Sequence, residues 1–363
     1  MTVIGIDARE LLGETTGVGR YLGELLRRWI TRPDASKRQF LLYTPEPLEF
    51  LRSVPDGAAV REVVVGTGRG TWWEQTHLRR AVRANPPDVF FASAYTAPLA
   101  LGVPLAVAIH DVSFAAAPHW FRPREGARRR LLTRQAARAA DVIFTISEFS
   151  RREIIERLGV PAERIRVTYP SVTPRRIPRR PRDPLVLYVG SIFNRRRLPS
   201  TISAFAAATA RRPTARLVIA GADRTYPALD LPGLAAEAGA ATRVDVRSYV
   251  TDEELDDLYS RASVFVFLSE YEGFGLTPLE ALSADVPIVV LDTPVAREVY
   301  GDAAWYVPPE KDVVSAAEAI RTLLEDEASR ARLLAGAPAV LARYSWDTAA
   351  EATLAAIEAI VRA

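Results

Sequence analysis

The stretch SEYEGFGLTPLEAL, residues 269–282, sets two carboxylates, Glu272 and Glu280, on either side of a turn that contains Gly273 and Gly275 and runs into Pro278. Read locally, Thr277 is an N-cap, Pro278 takes the first helical position, and Glu280, three residues after the cap, completes a Thr-x-x-Glu capping box. That reading leaves Glu272, Phe274 and the two glycines without a cause. Glycines ahead of a helix let backbone N–H groups turn outward, and the positive end of the helix then favours an anion such as a phosphate. A second candidate is the run Arg195, Arg196 and Arg197 in SIFNRRRLP, directly after the apolar run LVLYVG. As surface charge it needs no ligand; as guanidinium groups clustered at a strand end it suits bidentate bonds to a diphosphate. His110-Asp111 closes the run LAVAIHD, where an imidazole can orient a phosphate or a sugar hydroxyl. No second histidine or carboxylate stands at ligand spacing from it, so no metal site is expected. Gly17-Val18-Gly19 enters a helix with Arg20 in its first turn; the G-x-G-x-x-G spacing of a dinucleotide site is missing, and a simple flexible turn fits equally.

The elements that must position these residues are legible as alternation. Strand-like runs at 3–7, 40–44, 88–93, 105–111, 142–147 and 165–170 are separated by amphipathic stretches that include 17–31, 72–84, 124–139 and 148–158. Such alternation implies βαβ units and a parallel sheet. The segment SVTPRRIPRRPRDP, residues 171–184, has four prolines and five arginines and no periodicity, and reads as a linker. The pattern then restarts, with strands at 185–190, 216–222, 244–250, 263–269 and 287–292. Helices are expected near 197–211, 228–238, 252–261, 276–284, 312–325, 327–342 and 346–361. The expected organisation is an α/β protein with a domain over 1–170, a linker over 171–184, a second domain over 185–345 and a last helix, 346–363, returning to the first. Ligands of parallel sheets lie beyond the carboxyl ends of the strands, which is where three of the four candidates stand, facing a cleft between the domains.

Composition narrows the function classes. A chain of 363 residues exceeds what one core usually spans, and 48% hydrophobic with 25% charged residues is ordinary for a globular protein. The absence of cysteine excludes disulfides, thiolate nucleophiles and cysteine-ligated metals, and fits a reducing compartment. MTVIGIDARELL carries no basic leader followed by an apolar run, so no signal peptide is expected, and no apolar stretch is long enough to span a membrane. The net charge of +3 is mild, but seven arginines stand between 122 and 138 against the single acid Glu125. That stretch is either a solvated helix in an arginine-rich chain or a surface for anionic lipid headgroups or a phosphate-bearing substrate. Without interleaved aromatics or a recognition motif, nucleic acid is not expected. Trp72, Trp73 and Trp120 suit either ordinary packing or stacking on an acceptor sugar.

Taken together, GIDARELLGETTGVGRY, AIHD, ISEFSRREIIERLGVP, YVGSIFNRR and SEYEGFGLTPLEAL resemble the glycosyltransferases of family 4, retaining nucleotide-sugar enzymes of the GT-B fold, over about residues 3–350. The likeness is greatest to the branch that builds bacterial polysaccharides and lipid-linked saccharides, where mannosyltransferases are frequent. It implies two Rossmann-like domains with parallel sheets facing an interdomain cleft. It also implies that Glu272 binds donor-sugar hydroxyls, that Glu280 binds the ribose, and that the turn from Gly273 through the amides of Phe274, Gly275, Leu276 and Thr277 faces the diphosphate. Arg195 and Arg196 would neutralise the leaving diphosphate, Gly17, Val18 and Gly19 would approach it from the first domain, His110 would sit by the transferred sugar and the Val250 backbone by the base. No cofactor is implied; the GDP- or UDP-linked sugar is a substrate, and the acceptor is a glycan, a lipid-linked saccharide or a small molecule. The expected reaction is metal-independent hexosyl transfer with retention, mannose first, in the cytoplasm or at the inner face of its membrane. The family's Lys-Asn pair is replaced by Arg196 and Arg197, its Asn-Gly after the strand IRV by Tyr169-Pro170-Ser171, and the small residues after the motif helix by Ser283, Ala284 and Asp285. A non-catalytic family member and a GT-B epimerase are the alternatives.

Overall fold

Short runs of Val, Ile, Leu and Phe bounded by turn residues become parallel strands, as expected of runs buried on both faces. The computed structural model describes all residues except 14, 15, 56, 69, 175, 176, 178–181 and 363. It divides into two compact units, one comprising Met1–Pro118, Pro123–Pro170 and Ser345–Ala363, the other His119–Arg122 and Ser171–Tyr344. Much of the arginine- and proline-rich stretch 171–184 lies outside the described residues. Ser171 and Val172 are nevertheless buried, and Ser171 Oγ donates to the Tyr344 carbonyl at 3.0 Å within the second unit.

The first unit holds a seven-stranded sheet: β1 Thr2–Asp7, β2 Arg38–Thr44, β3 Val60–Val64, β4 Val89–Ala92, β5 Leu105–Ala108, β6 Val142–Thr145 and β7 Ile165–Val167, in the order β3-β2-β1-β4-β5-β6-β7. The second holds six: β8 Leu185–Val189, β9 Arg216–Ala220, β10 Val244–Arg247, β11 Val264–Phe267, β12 Ile288–Leu291 and β13 Ala304–Val307, in the order β10-β9-β8-β11-β12-β13. Every pair is parallel. In each sheet the strand order reverses beside the first strand, between β1 and β4 and between β8 and β11. Loops leaving two such neighbours diverge and open a crevice at their carboxyl ends.

Two strands and two short helices, Ser113–Ala116 and Pro294–Tyr300, escape the sequence pattern. β3 is an edge strand whose residues are half-buried or exposed, so Arg61 and Glu62 interrupt its apolar run. β13 is only four residues long and follows a turn at Gly301, and the seven-residue helix Pro294–Tyr300 is too short to show a period. The helix expected over 327–342 is divided into Glu327–Leu334 and Ala337–Leu341, a break that falls at Ala335 and Gly336, just ahead of Pro338 in the first turn of the second helix.

Helix Gly17–Thr31 lays Tyr21, Leu22, Leu25, Leu26 and Trp29 against the first sheet. Its Gly19 packs so closely on the Glu10 carbonyl that a Cβ would collide with it. Helix Trp346–Arg362 packs on this helix and over β4 and β6, burying Trp346, Leu354 and Ile357 while Trp29 Nε1 donates to the Ala350 carbonyl at 2.8 Å. The last residues of the chain thus complete the core of the first unit. Leu354→Ala should cost about 2 to 5 kcal/mol of stability through lost burial and the cavity left behind; urea unfolding of the full chain measures it, and a loss below about 1 kcal/mol would deny this helix its place in the core.

Candidate active site

The crevice between β8 and β11 is built by two loops that exchange side chains. β8 ends at Val189, just after Tyr188, and the short helical turn Asn194–Arg196 follows. Arg196 Nε donates to Glu272 Oε1 at 3.0 Å, and its Nη1 to the Ser191 carbonyl at 2.6 Å and the Tyr188 hydroxyl at 3.2 Å. Its guanidinium lies 4.9 Å from the Phe267 ring centre at the end of β11. Two nearby partners, Glu272 and Tyr188, outweigh burial and hold Arg196 firmly protonated. Ser269 Oγ donates 2.8 Å to the same Glu272 Oε1, and Oε2 has no partner among the described residues.

Arg195 turns the other way. Its Nε donates to the Tyr271 carbonyl at 3.1 Å and lies 3.9 Å from Glu272 Oε1, and the guanidinium rests on Phe193, 4.2 Å from the ring centre. Its Nη groups have no partner among the described residues, so a planar fork of N–H donors is available for an anion. Arg197 separates from its neighbours: it adopts a left-handed conformation (φ 46°) and is tied to Glu270 at 2.5 Å, Asp312 at 3.0 Å and the Pro309 carbonyl at 2.8 Å. The three-arginine cluster therefore resolves into one open cation, one buried orienting cation and one structural anchor.

The glycine turn leads into helix Leu276–Ser283, which corrects the capping-box reading. The N-cap is Gly275 at φ 91°, no side chain caps the helix, and Thr277 lies inside its first turn. The amides of Leu276 and Thr277 accordingly start the helix without a side-chain acceptor, a geometry that suits an anion. Gly275 has a double cause. Its positive φ disfavours other residues, and a Cβ there would strike the hydroxyl of buried Tyr300, which donates 2.9 Å to the Gly275 carbonyl. Phe274 is buried edge-on to Tyr344 at 5.0 Å. Glu280 is buried and accepts from the Tyr259 hydroxyl at 3.4 Å. Gly273 is buried in the turn, and Val250 is half-buried just ahead of the Thr251 cap of helix Asp252–Arg261.

In the first unit, Gly17, Val18 and Gly19 form the first turn of their helix and not a loose loop; Thr16 Oγ1 accepts from Gly19 N at 3.0 Å, while Gly17 is exposed. His110 is buried, its ring Nε2 lying 3.0 Å from the Ser93 carbonyl after β4 and its face and edge packed by Tyr21 and Tyr95 at 4.9 and 5.6 Å. A carbonyl only accepts, so Nε2 carries the proton and Nδ1 is the acceptor; burial lowers its pKa and keeps the ring neutral. Asp111 closes the loop, accepting from Ser113 N at 2.7 Å and the Tyr95 hydroxyl at 2.9 Å.

The same strand ends hold a buried ionic group that sequence reading missed. Arg9 contacts Asp7 at 3.0 Å and pairs with Glu74, which also accepts from Thr96 Oγ1 at 2.6 Å and Gln75 Nε2 at 2.7 Å. Asp7, at the last position of β1, could have been suspected from its place at a strand end. Glu74 had no local signal, because it reaches the group from a π-helical turn, Glu74–Leu78, far along the chain. Burial, reinforced by Glu74, pushes Asp7 up to about 6 despite Arg9. Ser269, Tyr188 and Tyr300 were likewise missed in the second unit. Among the described residues no group of three His, Cys, Asp or Glu side chains is placed to hold a metal ion.

The two halves match two family descriptions: residues 15–176 match Glycosyltransferase Family 4, and residues 173–339 match Glycosyl transferases group 1. The O-antigen chain mannosyltransferase B of Escherichia coli is 29% identical over 259 residues, 68% of either chain. The alpha-D-kanosaminyltransferase of Streptomyces kanamyceticus is 28% identical over 270 residues, 69% of either chain. Among solved structures, Anabaena Alr3699/HepE in complex with UDP and glucose superposes with a TM-score of 0.74 at 19% identity, covering 99% of both chains. WaaG, a glycosyltransferase involved in lipopolysaccharide biosynthesis, gives 0.75 at 17% identity over 98% of this chain and 99% of its own. The chain belongs to the GT-B glycosyltransferases of group 1 and family 4, with a Rossmann-like parallel sheet in each unit.

Two outcomes follow from this geometry. Gly275→Ala should displace Tyr300 and reshape the turn, lowering stability by about 1 to 3 kcal/mol, whereas Tyr300→Phe should cost only about 1 kcal/mol; thermal unfolding of both variants compares them. Asp7, raised to about 6 from an ordinary 3.8, contributes stability that is fully present below the unfolded value and is lost as pH rises through about 6. Urea unfolding between about pH 4 and pH 7 should therefore show the native chain losing on the order of 3 kcal/mol relative to Asp7→Asn.

Proposed function

We propose that the protein transfers a hexose, with mannose the first choice, from a nucleoside-diphosphate sugar to a hydroxyl of a saccharide or lipid-linked acceptor, with retention at the anomeric carbon and without a metal ion. The observation that carries this reading is the convergence, at the β8/β11 crevice, of the open Arg195 guanidinium, the uncapped helix start at Leu276 and Thr277, and a Glu272 carboxylate with one oxygen held and the other open. The mannose assignment draws support from the mannosyltransferase relatives, while the structural neighbour bound to UDP and glucose keeps a UDP-linked donor in the test.

As the bond from the anomeric carbon to the diphosphate oxygen breaks, negative charge grows on the diphosphate and the sugar becomes oxocarbenium-like. Arg195 and the helix N-terminus supply positive potential where that charge appears, in place before the reaction begins. Glu272 Oε2 accepts a donor-sugar hydroxyl, its orientation kept by Arg196 and Ser269. The acceptor hydroxyl attacks on the face the leaving diphosphate vacates and delivers its proton to a departing phosphate oxygen, so retention needs no protein nucleophile. Glu280 serves the ribose hydroxyls, and neutral His110, with Nδ1 as acceptor, serves the transferred sugar.

This division of labour separates the two arginines experimentally. Arg195→Ala should lower turnover at saturating donor by about 10²- to 10³-fold with a comparatively small change in unfolding. Arg196→Ala should lower turnover and also destabilise the fold by about 3 to 5 kcal/mol, because it leaves the Glu272 carboxylate without its partner. The assay is nucleoside-diphosphate release from GDP-mannose, UDP-glucose and related donors, with and without chelator. Unchanged turnover in Arg195→Ala would remove that residue from the reaction.

A further inference from the structure

The second sheet ends on β10, and no described strand pairs with its outer side. Asp245 and Val246 are exposed there. An open strand edge is a template for another strand, and proteins ordinarily blunt it with a cover, a proline or charged side chains. At the opposite edge β13 is covered, with Ala304 and Val307 buried. β10 carries charge, but of both signs: Arg247 Nε donates to Asp245 Oδ2 at 2.8 Å, so the edge does not repel. The pleat decides what this edge can bind. The Gly221 amide donates to the Arg247 carbonyl at 2.8 Å, so Asp245 and Arg247 direct their backbone groups to β9, and Val246 between them directs its N–H and C=O outward. A two-fold axis through Val246 therefore lets two copies exchange both hydrogen bonds of that residue. Asp245 then stands opposite Arg247 of the second copy, and Arg247 opposite its Asp245, so the pair within each chain is replaced by two between chains. An axis through Asp245 or Arg247 sets like charge on like, which fixes the register. The edge of the first sheet offers no such match. In β3 the Ala59 carbonyl accepts from the Phe40 amide and the Val65 amide donates to the Thr44 carbonyl, both at 2.8 Å, so Glu62 faces outward and an axis through it sets Glu62 against itself.

We propose that β10 pairs antiparallel with β10 of a second copy of this chain about an axis through Val246, joining the two six-stranded sheets across an isologous interface. The order Asp-Val-Arg makes the strand complementary to itself in the one register its outward backbone groups allow, which is what selects a second copy as the partner. Val246, 37% exposed, and Tyr249, 66% exposed just past the strand, supply apolar surface for the contact to cover. Both Asp245 and Arg247 are more than a third exposed, at 49% and 38% of their side chains, so they are free to exchange partners. The pairing is independent of the reaction proposed above.

Sedimentation equilibrium of the full chain tests it. The native chain should dimerise with a Kd on the order of 1 to 100 μM. Asp245→Arg and Arg247→Asp each set like charges opposite one another at two places, and each should raise that Kd by at least about tenfold. Neither should move the unfolding midpoint, since an exposed ion pair contributes little to the fold. An equimolar mixture of the two variants should dimerise again, because unlike charges then meet at both places, and the double variant with the charges exchanged should regain the native Kd. A native chain that stays monomeric at about 100 μM would overturn the proposal. So would a dimer that either single substitution leaves intact, or variants that stay apart on mixing. If a single variant fails to fold, the double variant decides, and loss of its dimer counts against the proposal.

Discussion

The contact on which the second unit's site depends is the ion pair between Arg196 and Glu272. The two residues lie on loops that leave neighbouring strands in divergent directions, and nothing in the backbone requires those loops to meet. Both side chains are largely withdrawn from water, so each charge would be costly alone. The pair is retained because its remaining polar groups are satisfied: Arg196 by the Ser191 carbonyl and the Tyr188 hydroxyl, Glu272 by Ser269. With the pair in place, the Glu272 carboxylate has a fixed plane and Arg195, one residue earlier, is turned outward with its fork open. A replacement of arginine by lysine at 196 would keep the charge but not the simultaneous bonds to three partners.

The glycine turn supplies the second half of the same arrangement. Tyr300, from a short helix that the sequence pattern does not reveal, closes on the Gly275 carbonyl and makes any side chain at 275 impossible without displacement. The turn is thereby set by packing against its carbonyls. This is why a cap of the Ser, Thr or Asp kind is missing at this helix although Thr251, Thr293 and Asp326 cap others in the same unit. The first unit follows a parallel logic at its own strand reversal, where Ser93 after β4 links the end of β1 to His110 after β5 through its hydroxyl and carbonyl. Neutral His110 and the Asp7–Arg9–Glu74 group are both products of burial at these strand ends.

Membership of the glycosyltransferases agrees with what these loops can do, since they hold positive potential in place before any ligand arrives. Two of the chain's departures from the family pattern, Arg196 and Arg197, fall where the structure compensates. Arg196 takes an orienting role through bonds that lysine could not all make, and Arg197, in place of a neutral residue, is absorbed by Glu270 and Asp312. Neither substitution adds an unpaired charge to the crevice.

Two α/β halves, most strands and the strand-end position of the candidate residues were legible in the residues themselves, because strands buried on both faces must be continuous apolar runs and the loops between them must carry the polar groups. Short or half-exposed elements were not: β3, β13 and Pro294–Tyr300 are made by their neighbours and not by a local period. Likewise Glu272, Glu280 and Arg195 could be named as candidates from sequence, whereas Tyr300 and Glu74 could not, since each meets its partner across a distance in the chain that only folding closes; Ser269 and Tyr188 stand near their partners in the chain, but only the loop geometry aims their hydroxyls at Glu272 and Arg196. The amino-acid sequence determined which groups could do chemistry. The tertiary structure decided which of three consecutive arginines is open, which is buried and which is merely an anchor, because that depends on the carboxylates and carbonyls that packing brings to each.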